Sequence, residues 1–184
     1  MARAPERRGA VSRRPRLIAV DGANGRALLA AAQRIAHDDR VSRWDASGLF
    51  EQLIMAGDDI STTSPRLLLL LYAADLAFRL RWEIEPALAE GKPVVAAPYV
   101  ETAMAFGRAC GFQAKWLNNL FRFARRPAER HILSSPPERA RASAGFIEFA
   151  SAHLESLDGP DLARRTRTYL RARRGSGVRD LSSR

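Results

Sequence analysis

The residues with the clearest chemical potential fall in one short turn. Leu17-Ile18-Ala19-Val20 is an apolar run that ends in Asp21-Gly22-Ala23-Asn24-Gly25-Arg26. A segment with Leu28, Ala32, Ile35 and Ala36 at helical spacing follows it. A glycine-bearing turn between a strand and a helix aims backbone N–H groups and the positive end of the helix dipole at one point, which suits an anion. Arg26 brings a cation to that turn, with a solvated loop arginine as the other reading. Elsewhere the signals are thinner. His37, His131 and His153 are far apart and lack paired ligand spacing, so no metal site is expected. Cys110 has no histidine near it in sequence and reads as a small buried or half-buried thiol. Arg164, Arg165, Arg167, Arg171, Arg173 and Arg174 share a segment with Leu162, Tyr169 and Leu170. Such a helix packs on its apolar side and either grips phosphates or presents a solvated charged face.

These residues need elements to hold them. The chain has 184 residues, 46% hydrophobic and 27% charged, which suits one domain with a real core and argues against disorder or a fibre. Its longest apolar run, residues 67–74, is far short of the roughly 20 residues that cross a bilayer, so no membrane partner is expected. A single cysteine forms no internal disulfide and points to a reducing, cytoplasmic setting. The net charge of +10 sits at the two ends. Residues 1–16 hold six Arg and one Glu, residues 164–184 hold eight Arg and one Asp, and the stretch between is nearly neutral. With Pro5, Gly9 and Pro15 and no apolar periodicity, residues 1–16 read as a flexible basic leader ahead of a domain at 17–184. Only Lys92 and Lys115 are lysines, an arginine bias that a GC-rich genome also produces.

Along the domain, short apolar runs alternate with helical patterns. Residues 41–44 fit a second strand, and Thr63-Ser64-Pro65 fits a helix start with proline in the first turn. That helix carries Ala77, Leu80, Ile84 and Leu88 on one stripe, with Pro86 forcing a kink or local adjustment and Gly91 ending it. Residues 93–97 fit a buried strand. Helices near 99–109 and 113–124 follow, the second with Trp116, Leu120 and Phe123 on a shared face. Residues 131–133 fit a short strand before Pro136-Pro137, and helical patterns cover 138–157 and 161–174. Residues 178–181 close the sheet. The pattern predicts an α/β fold of three layers, a parallel sheet of about five strands with helices on both faces. Ligands in such sheets bind beyond the carboxyl ends of the strands, which returns attention to the turn after the first strand.

Several segments, in order, resemble the thymidylate kinase family of P-loop nucleoside monophosphate kinases. Leu70-Leu71-Tyr72-Ala73-Ala74-Asp75 and Glu85-Pro86-Ala87-Leu88-Ala89-Glu90-Gly91 are similar to the family's helix ending before its third strand. Tyr99–Phe106 resembles the next helix, Pro136-Pro137-Glu138 the segment after the fourth strand, and Tyr169-Leu170 with Gly177-Val178-Arg179-Asp180 the last helix and strand. The resemblance spans about residues 16–181. It implies a P-loop-type sheet, with Asp21, Gly22, Asn24, Gly25 and Arg26 as the nucleotide-binding loop. It puts Arg43, Tyr72, Tyr99 and Phe106 at the monophosphate and thymine pocket, where a surface ion pair for Arg43 and core packing for the aromatics are the alternatives. It also implies ATP and Mg²⁺ if the chain is a kinase, and a homodimer as an available assembly.

The same resemblance shows what is missing. The family's loop needs a second glycine, a lysine for the phosphates and a hydroxyl for Mg²⁺. Ala27, Leu28 and Leu29 stand there. Ala97-Pro98-Tyr99 replaces Asp-Arg-Tyr, Leu76 replaces the acceptor-site arginine, and residues 144–158 contain no lid arginine. No catalytic residue is therefore assigned. The sequence reads as a thymidylate-kinase-like pseudoenzyme that binds a nucleotide weakly or acts through partners. An active (d)TMP or nucleoside monophosphate kinase using ATP is the first alternative. Binding of nucleic acid or an acidic partner through the arginine-rich ends is the second.

Overall fold

Alternate residues of the first strand serve two different cores, and that alternation builds the molecule. The computed structural model describes residues 15–37, 39–55, 63–133, 145–154 and 159–174. In chain order they form β1 (Leu17–Asp21), α1 (Gly25–Ala36), β2 (Arg40–Arg43), α2 (Leu49–Met55), α3 (Pro65–Arg79), a π-turn (Leu80–Ile84) and α4 (Glu85–Ala89). Then come β3 (Val94–Ala97), α5 (Val100–Ala109), α6 (Ala114–Leu120), β4 (Glu129–Ile132), α7 (Phe146–His153) and α8 (Gly159–Arg174). Ile18 and Val20 pack with Val95 and Ala97 against Leu28, Ala31, Ala32 and Ala36 of α1. Leu17, Ala19, Val94 and Ala96 face the other way, into the larger core shared by α3, α5, α6 and α7. A strand has period two, so each strand must be apolar on both sides to be covered on both sides.

The strands are parallel in the order β2-β3-β1-β4. Four strands are thus seen among the described residues where about five were expected. The fifth, expected at 178–181, lies outside the described residues, as do most of the basic leader, the two prolines at 136–137 and parts of the 138–157 segment. Among the described residues, no helix is long and apolar enough to cross a membrane.

Local sequence explains the long α3. Ser64 caps it by accepting from the Leu67 N–H at 3.2 Å, and Pro65 occupies the first turn. Pro86 lacks an N–H and its ring would meet the carbonyl of residue 82 in a regular helix. The chain answers with the π-turn, in which the Glu85 N–H bonds to the carbonyl of Leu80, five residues back. Gly91, at φ +78°, then ends α4 while Lys92 N–H returns to the Ala87 carbonyl at 2.9 Å. One expectation needs correcting. α6 stops at Leu120 rather than running to 124, so Phe123 leaves the Trp116–Leu120 face and is 44% exposed. The buried Phe121 takes over the inward position as the chain turns.

Candidate functional site: the loop between the first strand and the first helix

β1 delivers Asp21 and Gly22 to the carboxyl edge of the sheet, and Asn24 starts α1 there. The Asn24 side chain accepts from the Ala27 N–H at 2.8 Å, the usual work of an N-cap. Asp21 does something different from lining an open site. One of its carboxylate oxygens accepts from the Tyr99 N–H (2.9 Å), the Thr102 N–H (2.9 Å) and the Thr102 hydroxyl (2.8 Å). Asp21 therefore caps α5 from a neighbouring strand. Burial pushes its pKa up to about 6, against the lowering pull of those hydrogen bonds. Thr102 also receives the Gly22 N–H at 3.0 Å, which ties the loop itself to α5.

The first amide of α1 already has an anion. Gly25 N–H donates to Oε1 of Glu148, on α7, at 2.7 Å. Burial raises the pKa of Glu148, with the Gly25 hydrogen bond opposing the rise. Its other oxygen is buried and finds no partner among the described residues. Gly145 is what allows α7 so close. A Cβ at Gly145 would lie 2.7 Å from the Gly25 Cα. Glu148 and Gly145 were not singled out in the sequence. A carboxylate three residues from a glycine is too common to signal a contact 123 residues away along the chain.

Beside the loop lies a cavity of about 300 Å³, reached by Gly25, Leu29, Arg43, Asp45, Pro98 and Gly145. Arg43 is exposed at the end of β2 and contributes to it, so two of the expected regions do meet here. Arg26 is also exposed. The aromatics went elsewhere. Tyr72 and Phe106 are fully buried, with ring centroids 4.6 and 5.0 Å from Phe146. Tyr72 donates its hydroxyl to the Tyr99 carbonyl at 2.5 Å, and Tyr99 donates to the Arg125 carbonyl at 2.6 Å. Burial raises both phenol pKa values.

Of the positions that differ from the family pattern, Leu76 lies in the core, and the largely buried Leu28 and Ala97 form part of the cavity wall. Leu28 is 3% exposed and belongs to the core between α1 and the sheet, Leu76 is fully buried, and Ala97 is 5% exposed. Leu29, where a hydroxyl would meet Mg²⁺, lines the cavity with hydrocarbon. Asp21, the acid that ends β1, is committed to α5. Among the described residues no group of three or more His, Cys, Asp or Glu side chains is placed to hold a metal. The donor set at this loop does not fit a magnesium–nucleotide complex of the P-loop kind, which needs a hydroxyl and a cation at these places.

Sequence inspection also passed over a buried charge network. Arg79 is fully buried on α3. Its Nε donates to the Ser42 hydroxyl (2.9 Å), and its Nη2 donates to the carbonyls of Ser42 (3.1 Å) and Pro98 (2.9 Å). Asp75, one turn earlier and also fully buried, lies 3.8 Å from it and accepts from the Ser47 N–H and hydroxyl. The pair fastens α3 to the ends of β2 and β3 and so fixes the floor of the cavity. The signal was present. Asp75 and Arg79 sit four apart in the stripe of Leu68, Tyr72 and Leu76, where charges have no place unless paired. On α8, Arg173 is spent on Glu101 at 3.0 Å, and Arg164 pairs with Asp161. Leu162 and Leu170 pack inward, as their spacing implied.

No family model matches the chain. It is 34% identical over 88 residues to a protein from Pyrococcus horikoshii described as a probable thymidylate kinase, which covers 48% of this chain and 42% of that one. It is 38% identical over 89 residues to a thymidylate kinase of Desulfosudis oleivorans, covering 46% and 42%. To a probable thymidylate kinase of Pyrobaculum calidifontis it is 32% identical over 117 residues, covering 63% and 58%. The matches span about half the length of these curated relatives. A crystal structure of thymidylate kinase from Ehrlichia chaffeensis superposes with a TM-score of 0.64 at 13% identity, covering 94% of this chain and 90% of that one. The chain is thus similar in sequence to thymidylate kinases and has their P-loop type of fold.

Proposed function

We propose that this chain keeps the thymidylate kinase framework without efficient phosphoryl transfer, and that it binds a nucleotide or other phosphate-bearing ligand weakly. One observation carries the reading. Leu28, at the place of the phosphate-binding lysine, is 3% exposed and built into the core under the loop. Transfer of a phosphoryl group depends on positioning and on stabilising developing charge. A buried leucine supplies neither, and Leu29, Leu76 and Ala97 remove further groups that act with it. The exposed Arg43 at the cavity, beside the N-terminus of α1, supports retained anion binding.

An active nucleoside monophosphate kinase is the rival reading, and turnover separates the two. Purified protein is assayed for ADP release with ATP, Mg²⁺ and dTMP, with other monophosphates, and with no acceptor. The expected result is no acceptor-dependent turnover. Turnover of about 1–10³ per second that requires both dTMP and Mg²⁺ would overturn the proposal and give Arg26 and Arg43 the missing roles. Leu28→Lys is expected to recover little, because groups that work as a unit are strongly non-additive.

A further inference from the structure

A second cavity, also of about 300 Å³, lies against the first turn of α5 and shares no lining residue with the one beside the loop. Ala19 and Asp21 of β1 face it from the sheet, and Phe121 adds an apolar wall. Arg125, Arg126 and Arg130 are exposed and bring three guanidinium side chains to it. Ala19 carries only a methyl group, which leaves room above the strand.

The charges around this cavity are not all spent. Capping α5 occupies one oxygen of Asp21. Oδ1 takes the Tyr99 N–H and both Thr102 donors, while Oδ2 accepts from no group among the described residues. Asp21 is 1% exposed, and an acceptor buried without a donor is unfavourable. Burial is also the main cause that pushes this carboxyl up to about 6. Glu101 is held by two arginines, Arg130 at 3.0 Å and Arg173 at 3.0 Å, so that trio has one positive charge in excess. Arg125 pairs with Glu85 at 2.7 Å. Arg126 has no hydrogen bond or ion pair among the described residues. The cavity thus joins a bare acceptor on the sheet side, an apolar wall and a free cation at the surface.

We propose that this cavity is a second binding site, for a small organic anion that carries a hydroxyl or amino group at its other end. The carboxylate or phosphate head meets Arg126 and the excess charge of the Arg130–Glu101–Arg173 trio, and the hydroxyl or amine donates to Oδ2 of Asp21. The hydrocarbon between them lies on Ala19 and Phe121. A plain anion fits less well, because it faces the Asp21 carboxylate with no donor to offer. A plain alcohol leaves Arg126 unused. The site depends neither on the loop as an anion site nor on phosphoryl transfer.

Glycerol 3-phosphate is the probe, with glycerate as its carboxylate counterpart and inorganic phosphate as a head without hydroxyls. Each is titrated into the full chain while the amide signals of Val100, Glu101 and Ala124 are followed by NMR. Saturable shifts are expected with glycerol 3-phosphate, glycerate or both, at an affinity about tenfold or more above that of inorganic phosphate. Arg126→Gln removes the free cation and should weaken the organic probes by about tenfold. Asp21→Asn is the sharper test. Its oxygen is needed by the three donors from α5, so its NH₂ group faces the cavity and an acceptor there becomes a donor. Affinity for the organic probes should fall by about tenfold, while that for inorganic phosphate stays level or rises. A merely structural role for Asp21 would move all the probes the same way. Arg43→Gln alters the other cavity and should leave these shifts as they are in the full chain. The inference is overturned by no saturable shift with either organic probe, by equal affinity for organic and inorganic probes, by unchanged affinity in Arg126→Gln, or by parallel changes in Asp21→Asn. Each of those results leaves the reading of weak kinase chemistry standing, and dTMP-dependent turnover would overturn that reading alone.

Discussion

Replacing Asp21 with asparagine tests whether this acid serves fold or chemistry. In the folded chain Asp21 is 1% exposed, and burial lifts its pKa from 3.8 to about 6. A raised carboxyl pKa means that the folded state binds the proton more tightly than the unfolded one. The contribution to stability is therefore fully present below the unfolded value and is lost as pH rises through the folded value. The separation of the two pKa values corresponds to about 3 kcal/mol at 1.36 kcal/mol per unit. Most of it, about 2 to 3 kcal/mol, should disappear between about pH 4 and pH 7.5. Asparagine preserves an oxygen for the Tyr99 and Thr102 donors and has no charge to desolvate. The stability of the unaltered chain minus that of Asp21→Asn, from urea unfolding at a series of pH values, should fall by that amount across the window. Taking the difference cancels every other titrating group. A flat difference would refute the argument, and would mean that water or relaxation at the site solvates the carboxylate. A gain of stability for the unaltered chain as pH rises would mean that the hydrogen bonds outweigh burial.

Two further outcomes follow from the same kind of burial. Arg79→Met should lower stability by about 3 to 5 kcal/mol in urea unfolding, because it leaves Asp75 charged and buried without its cation. Asp75→Asn combined with Arg79→Met should recover part of that loss, and strict additivity of the two changes would show that the pair is not coupled. Burial also pushes the Cys110 thiol up to about 12. Native protein at about pH 8 should react with iodoacetamide more than about a hundredfold slower than unfolded protein, since the thiolate is the nucleophile.

What the sequence made legible was whatever repeats locally or is written in a residue's own chemistry. The apolar doublets of residues 17–20 and 94–97, the Ser64-Pro65 helix start and the disturbance at Pro86 each depend on neighbours within a few positions, and the structure has all of them. The loop at Gly22–Gly25 was legible for the same reason. What stayed hidden is contact across long separations. Asp21 looked like a site acid because it ends a strand beside a glycine, but its partners lie 78 and 81 residues away on α5, and only folding shows that it caps that helix. Tyr72 and Phe106 matched pocket positions of the family, with core packing the default for aromatics on helices. The choice was made by Phe146, a residue whose type says nothing about which aromatic box it will enter. The absence of arginine from residues 144–158 read only as a loss. Folded, the same stretch brings the Glu148 carboxylate to the Gly25 amide at the loop and sends the Phe146 ring into the core. No short-range pattern carries a trace of that contact, because Gly25 and Glu148 lie 123 residues apart along the chain and meet only when α7 packs beside α1.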